Sequence, residues 1–184
     1  MSRSAGRKSD RAADALFALI TAQRTTAAIY VAARLGVADL MAEGITTTAA
    51  IARRTGADRR SLARLLLALV TIGVCRQVGK HRFELTAVGA HLAGNAAPSL
   101  KSYALFEGGM LWRSWGGLID SVRTGQTEAE LAGAGSRFEQ LGRRPEAVRT
   151  FNEAMASMTQ LAIPGVLAAC DFSGIGRLID VGGG

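Results

Sequence analysis

Small and large apolar residues alternate from Asp10 to Ala42, with Leu16, Ile20, Ala27, Val31, Leu35 and Leu40 recurring at helical spacing and few breakers between them. This pattern predicts two helices meeting near Thr25 or Gly36. Their alanine-rich faces allow close packing, either within the chain or against a second copy. Thr46 or Thr47 can cap a short helix, Ala49–Thr55, that Gly56 closes. Asp58 can cap the next helix, which places Leu62, Leu65, Leu66 and Leu69 on one stripe. Val74–Val78 and Arg82–Leu85 flank Gly79-Lys80-His81 as a hairpin, and Thr86 can cap a further short helix through His91. Together these elements predict a winged helix-turn-helix over residues 44–94.

Beyond Pro98 the pattern predicts helices around Leu100–Phe106, over Trp112–Arg123 and over Pro145–Ala169. Pro145 suits a first helical turn, whereas Pro164 removes a hydrogen bond and predicts a kink or a division of the last helix. Thr124–Ser136 reads as a loop. The chain ends on Arg177-Leu-Ile-Asp180-Val181 followed by Gly182, Gly183 and Gly184, a pattern for a buried strand entering a glycine turn. Such a turn brings bare backbone against a ligand, because glycine has no Cβ to block the approach. The expected fold is mainly α, a helical winged-helix domain with a small β-hairpin, followed by only the first strand of a Rossmann-like domain. The expected divisions are a basic flexible tail over 1–11, the winged-helix domain over 12–98, a helical linker or substrate lid over 99–170, and the start of a truncated Rossmann-like domain over 171–184.

Composition narrows the function classes. With 184 residues and 48% hydrophobic content the chain can bury a core. No continuous apolar run approaches the roughly 20 residues of a membrane span, and the polar, basic start is not a secretory leader, so a cytoplasmic location is expected. Cys75 and Cys170 stand far apart, and His81 and His91 are the only histidines, which predicts neither a disulfide scaffold nor a metal centre. The net charge of +7 is unevenly placed: Arg53, Arg54, Arg59, Arg60, Arg64, Arg76, Lys80 and Arg82 crowd one stretch. A winged helix with arginines on its second helix raises a DNA-binding regulator as one reading. The leucine stripe uses one face of that helix, however, and winged helices also serve as dimerisation or lid modules.

Phe151, Met155, Met158 and Ala162 recur at helical spacing, and core packing accounts for most of such a stripe; the same residue types also suit a pocket for a flat aromatic ligand. Trp112 and Trp115 are expected in the core on the same ground. His81 and His91 have no nucleophile or carboxylate nearby in sequence and carry no catalytic expectation.

The segments Phe83-Glu-Leu-Thr86-Ala-Val-Gly89, Trp112-Arg-Ser-Trp115, Phe151-Asn-Glu-Ala-Met155, Asp171-Phe-Ser-Gly174 and Leu178-Ile-Asp-Val-Gly-Gly-Gly184 occur in the order found in one family. The chain resembles the S-adenosylmethionine-dependent O-methyltransferases of the plant caffeate and isoflavone type and their actinobacterial polyketide-tailoring relatives. The resemblance implies an intertwined homodimer built on the amino-terminal half and methyl transfer to a hydroxyl of a small aromatic or polyketide-type acceptor. It further implies S-adenosylmethionine as cofactor, contacted by Asp180, Gly182, Gly183 and Gly184 and, through a small hydroxyl side chain, by Thr159. Phe151 and Met155 would lie beside the acceptor ring. In relatives the ribose-holding acid, the adenine pocket and the histidine base lie beyond the position of residue 184. The chain is therefore expected to be the dimerisation and lid portion of an enzyme, inactive alone, with catalysis belonging to a longer product or to a complementing methyltransferase polypeptide. The contrasting expectation is a DNA-binding regulator or a non-catalytic assembly protein; neither nucleic acid nor membrane is an expected partner of the first. A lone parallel strand lacks hydrogen-bond partners, at about 1–3 kcal/mol for each buried unpaired group. Residues 175–184 are thus expected to be exposed, loosely ordered or paired with a foreign segment.

Overall fold

The computed structural model describes residues 3–133 and 141–181. Helix α1 (Arg3–Arg34) is one long helix, so the expected break at Thr25 is absent and the segment expected as a tail already has helical backbone from Arg3. The break falls at Gly36, whose φ of 66° suits glycine, before α2 (Val37–Ala42). The first half of α1 stands clear of the domain, with Leu16, Phe17, Leu19 and Ile20 exposed. Arg11–Arg34 has the length and mean hydropathy, 1.3, of a membrane-crossing helix, although only 6% of that window is buried. Alanine raises this average without forming a continuous large apolar run, which is why the residue pattern did not reveal it. At its C-terminal end α1 enters the core through Ala32 and Ala33.

The winged helix forms as its caps dictate. Thr47 accepts a hydrogen bond from Ala50 N at the start of α3 (Thr48–Thr55), and Asp58 accepts one from Ser61 N at 2.8 Å at the start of α4 (Arg59–Thr71). Ile51, Leu62, Leu66 and Leu69 are buried against Val37, Ala38 and Met41. Strands β1 (Cys75–Gly79) and β2 (Arg82–Leu85) pair antiparallel with Cys75 opposite Leu85 and Arg76 opposite Glu84. Phe83 enters the core from β2, and its N–H donates to Thr46 O at 2.9 Å, tying the wing to the front of α3. Thr86 caps α5 (Ala87–Ala90) and also donates to Gly73 O at 2.6 Å, so one hydroxyl both starts that helix and ties the open end of the hairpin together.

A helical run then crosses the domain: α6 (Lys101–Leu105), a π-helical segment (Phe106–Leu111), and α7 (Trp112–Gly116). The predicted Trp112–Arg123 helix is divided at Gly117, with α8 occupying Leu118–Thr124. Trp112 is 40% and Trp115 61% exposed, so neither is a core residue as expected. Spacing placed the two on one side of a helix but carried no information on what lies against it. Within the expected loop, α9 (Glu128–Leu131) forms because Thr127 and Glu130 make a reciprocal capping box. Helix α10 (Pro145–Ala169) contains Pro164 and is not divided by it. One lost backbone hydrogen bond is tolerated where intact turns lie on both sides. After α10 the chain is exposed, and Arg177–Asp180 forms no strand: Leu178 is 78%, Ile179 72% and Val181 90% exposed. The buried strand read from the sequence is therefore not formed, as its lack of a paired neighbour dictates.

Candidate functional site

Helix α10 packs on α6 through its small residues. Ala154 and Ser157 are its buried positions, while Phe151 and Met155 lie half-buried at the margin and Met158 is 46% exposed. The stripe expected to face the core thus borders it, and the contact face is one turn around the helix. Ser157 Oγ donates to Glu153 O at 2.9 Å, which satisfies the buried hydroxyl, and Ser102 Oγ donates to Glu153 Oε2 at 2.6 Å across the α6–α10 contact.

Phe151 lies edge-on against Phe106, with ring centroids 5.5 Å apart and planes at 69°; Tyr103 adds a tilted contact to Phe106 at 6.3 Å. Such edge-to-face pairs contribute about 0.5–1.5 kcal/mol beyond area burial. Phe106 is the first residue of the π-helical segment and is 8% exposed. On the other side of that segment Gly108 and Gly109 admit the ring of Tyr30 from α1, and a Cβ on Gly108 would run into the Tyr30 side chain. A short aromatic wall results, running from α1 through the π segment to Phe151. Neither Phe106 nor Tyr30 was selected from the sequence; the Gly-Gly pair inside a helical stretch was the available signal.

Tyr103 donates to Glu107 Oε1 at 2.9 Å. That hydrogen bond, aided by burial and by the carboxylate charge, pushes the phenol above its usual range and keeps it protonated. Asp39 sits where α2 meets the start of α6, accepting from Lys101 Nζ and from Gly94 N, each at 2.8 Å. Burial alone would raise its carboxyl; the Lys101 hydrogen bond, the Gly94 N–H and the Lys101 charge together hold it below the usual value. This pair fixes the start of α6 to α2 of the winged helix.

The two described residues among those expected at the cofactor, Thr159 and Asp180, lie on α10 and in the segment after it. Thr159 is exposed and its hydroxyl donates to Met155 O at 3.1 Å, one turn back on its own helix. Asp180 is exposed in the irregular segment. Gly182, Gly183 and Gly184 lie outside the described residues. Among the described residues no buried side-chain polar atom lacks a hydrogen-bond partner. His81 and His91 are both exposed; His91 Nδ1 lies 2.8 Å from Pro98 O and the His81 carbonyl accepts from Thr48 N, both structural contacts.

The cysteines divide by environment. Burial pushes the Cys75 thiol up to about 11, whereas Cys170 is exposed at the end of α10. A disulfide-type thiol reagent is expected to label Cys170 quickly in the native chain and Cys75 only on unfolding. Rapid labelling of both would contradict the burial of the wing's first strand.

Two family models match the chain in succession: an O-methyltransferase dimerisation domain over residues 17–95 and an O-methyltransferase domain over residues 115–184. The phenazine O-methyltransferase PhzM of Lysobacter antibioticus is 36% identical over 169 residues, covering 92% of this chain and 50% of that protein. The mitomycin biosynthesis 6-O-methyltransferase of Streptomyces lavendulae is 38% identical over 159 residues, covering 85% and 46% respectively. A crystal structure of the O-methyltransferase NcsB1 from neocarzinostatin biosynthesis, in complex with S-adenosylmethionine and 2-hydroxy-5-methyl naphthoic acid, matches with a TM-score of 0.66. Its identity is 33%, over 80% of this chain and 46% of that one. The chain spans about half the length of the curated relatives it matches. With both domains in family order around a shared winged-helix fold, the chain belongs to the S-adenosylmethionine-dependent O-methyltransferase family.

Proposed function

We propose that this chain supplies the dimerisation and substrate-lid half of an O-methyltransferase that transfers a methyl group from S-adenosylmethionine to a hydroxyl of a small aromatic or polyketide-type metabolite. The observation that carries this reading is the wall of Phe106, Phe151 and Met155 on the α6–α10 pair. An apolar, partly open ring surface suits one face of a flat acceptor and fixes its orientation, which is a large part of catalysis in group transfer. Homodimerisation through the α1 region accords with the matched dimerisation domain and with the exposed Leu16, Phe17, Leu19 and Ile20.

The methyl donor supplies an electrophilic sulfonium carbon when bound, and the relatives' structures place that cofactor in this family. The described residues do not form a cradle for it, so no step is assigned to Thr159 or Asp180. What this chain's residues do is bind and orient: Phe151 presents its ring with the buried Phe106 edge-on behind it, Met155 adapts to the acceptor outline, and Tyr103 stays protonated beside Glu107. Proton removal from the acceptor hydroxyl belongs to the half of the enzyme that these residues face.

Two preparations test this: the 184-residue chain, and a fusion in which it replaces the corresponding half of NcsB1. The chain alone is expected to sediment as twice the 19.2 kDa of one copy, to bind no S-adenosylmethionine at micromolar concentration, and to transfer no methyl group. The fusion is expected to methylate a hydroxynaphthoic acid, with Phe151→Ala raising KM about tenfold for loss of one ring contact. Micromolar cofactor binding by the chain alone, or a folded dimeric fusion without transfer, would overturn the reading.

A further inference from the structure

The chain's whole net charge resides in residues 53–82. Eight of its 22 basic residues and one of its 15 acidic residues lie there, which leaves fourteen of each elsewhere. The single acid, Asp58, is committed to capping α4 through Ser61 N. All eight basic side chains are exposed, and among the described residues only Arg76 has an ion-pair partner, Glu84 at 2.6 Å. Five of the eight, Arg53, Arg54, Arg59, Arg60 and Arg64, lie on α3 and α4, while Arg76, Lys80 and Arg82 lie on the hairpin.

The α3–α4 face has a definite form. A shallow groove floored by Ala49, Ala52, Gly56 and Ala57 runs between Arg53 and Arg59. Beside it, Arg60, Arg64 and Leu67 follow one another at i, i+4 and i+7 along α4, and Leu67 is 48% exposed. Cationic forks thus border an apolar floor and continue into an apolar knob. This pattern suits carboxylates flanking an apolar ridge. It suits duplex DNA poorly, because Leu67 sets an exposed apolar side chain in line with Arg60 and Arg64. Residues 53–82 contain no Asn or aromatic residue, and the only Gln, Gln77, donates to the wing-turn carbonyls of Gly79 and Lys80.

We infer that the α3–α4 face is a docking surface for an acidic, amphipathic helix of a partner protein. The arginine forks pair with carboxylates along the partner helix, and its apolar ridge settles on the alanine floor and Leu67. The surface lies on the winged helix, away from the Phe106–Phe151 wall, and docking there leaves the acceptor side of α10 uncovered.

The test uses the full chain and a synthetic helical peptide carrying glutamates along both edges of a leucine stripe. Controls are a scrambled peptide of identical composition, duplex DNA and phosphatidylserine vesicles. Binding to the amphipathic peptide is expected in the micromolar range, on the order of that of transient complexes. It should weaken with salt, fall about tenfold or more in Arg60→Glu/Arg64→Glu, and fall severalfold in Leu67→Ala. Circular dichroism checks that these surface variants remain folded. Equal binding of the scrambled peptide, tighter binding of DNA or vesicles, no binding of the amphipathic peptide, or unchanged affinity in the arginine variant would each overturn the inference.

Discussion

Leu66→Ala is expected to lower the unfolding free energy by about 2–5 kcal/mol, while Leu67→Ala beside it changes stability by no more than about 0.5 kcal/mol. Leu66 is fully buried where α4 meets α1, α2 and α3, and truncating it removes its apolar contacts and leaves a cavity between helices that are held in place by their caps. Leu67 is half exposed, about 100° around the helix from Leu66, so its loss costs the fold little. For a chain of this size each kcal/mol moves the midpoint of thermal unfolding by about 2–4 °C. The two variants should therefore separate clearly in a single pair of melting curves. Similar midpoints for both would mean that α4 faces the domain differently from the arrangement described. The difference also matters for the docking surface, since it makes Leu67→Ala a variant whose binding defect is not a folding defect.

The contrast between these adjacent leucines was legible before any coordinates. Leu62, Leu66 and Leu69 fall on one helical stripe with Leu65 at its edge, and Leu67 falls off it. The caps Thr47, Asp58 and Thr86 were legible for a related reason: short side-chain oxygens act on N–H groups two or three residues away, so their partners are fixed by local sequence. The capping box at Thr127 and Glu130 was also written in the sequence, but the small residues around it gave the segment the composition of a loop. What pattern could not supply was the choice of neighbour across the fold. The Phe151 stripe was correctly placed on a helix, yet which of its flanks would meet α6 depended on Ala154 and Ser157, whose small size permits the closer approach. Phe106 and Phe151 are far apart in sequence, and nothing local to either announces the other. The same limit applies to Trp112 and Trp115, and to the terminal strand, where a strong local signal for Leu178 and Ile179 formed no ladder because a strand is completed only by its neighbours.

Gly108→Ala is expected to destabilise the chain by about 1–3 kcal/mol or more, and the sign should reverse when Tyr30 is also replaced by glycine. Within a helical segment alanine outranks glycine by about 1 kcal/mol, so local propensity favours the substitution. The tertiary contact opposes it, because the new Cβ would run into the Tyr30 Cβ and the near edge of its ring, and Gly109 beside it is also in contact with that ring. Relief requires the π-helical segment to move away from α1, toward α10, against Phe106 and its edge contact with Phe151. In Tyr30→Gly the Cβ and ring that obstruct it are both gone and only the propensity term remains, which makes Gly108→Ala neutral or stabilising by up to about 1 kcal/mol in that background. Denaturant unfolding of the wild type, both single variants and the double variant measures the coupling directly. Costs that add would show that Tyr30 does not press on Gly108. A sign reversal would show that α1, the element most exposed at its other end, reaches the aromatic wall through a pair of glycines and so couples the dimerisation helix to the position of Phe151.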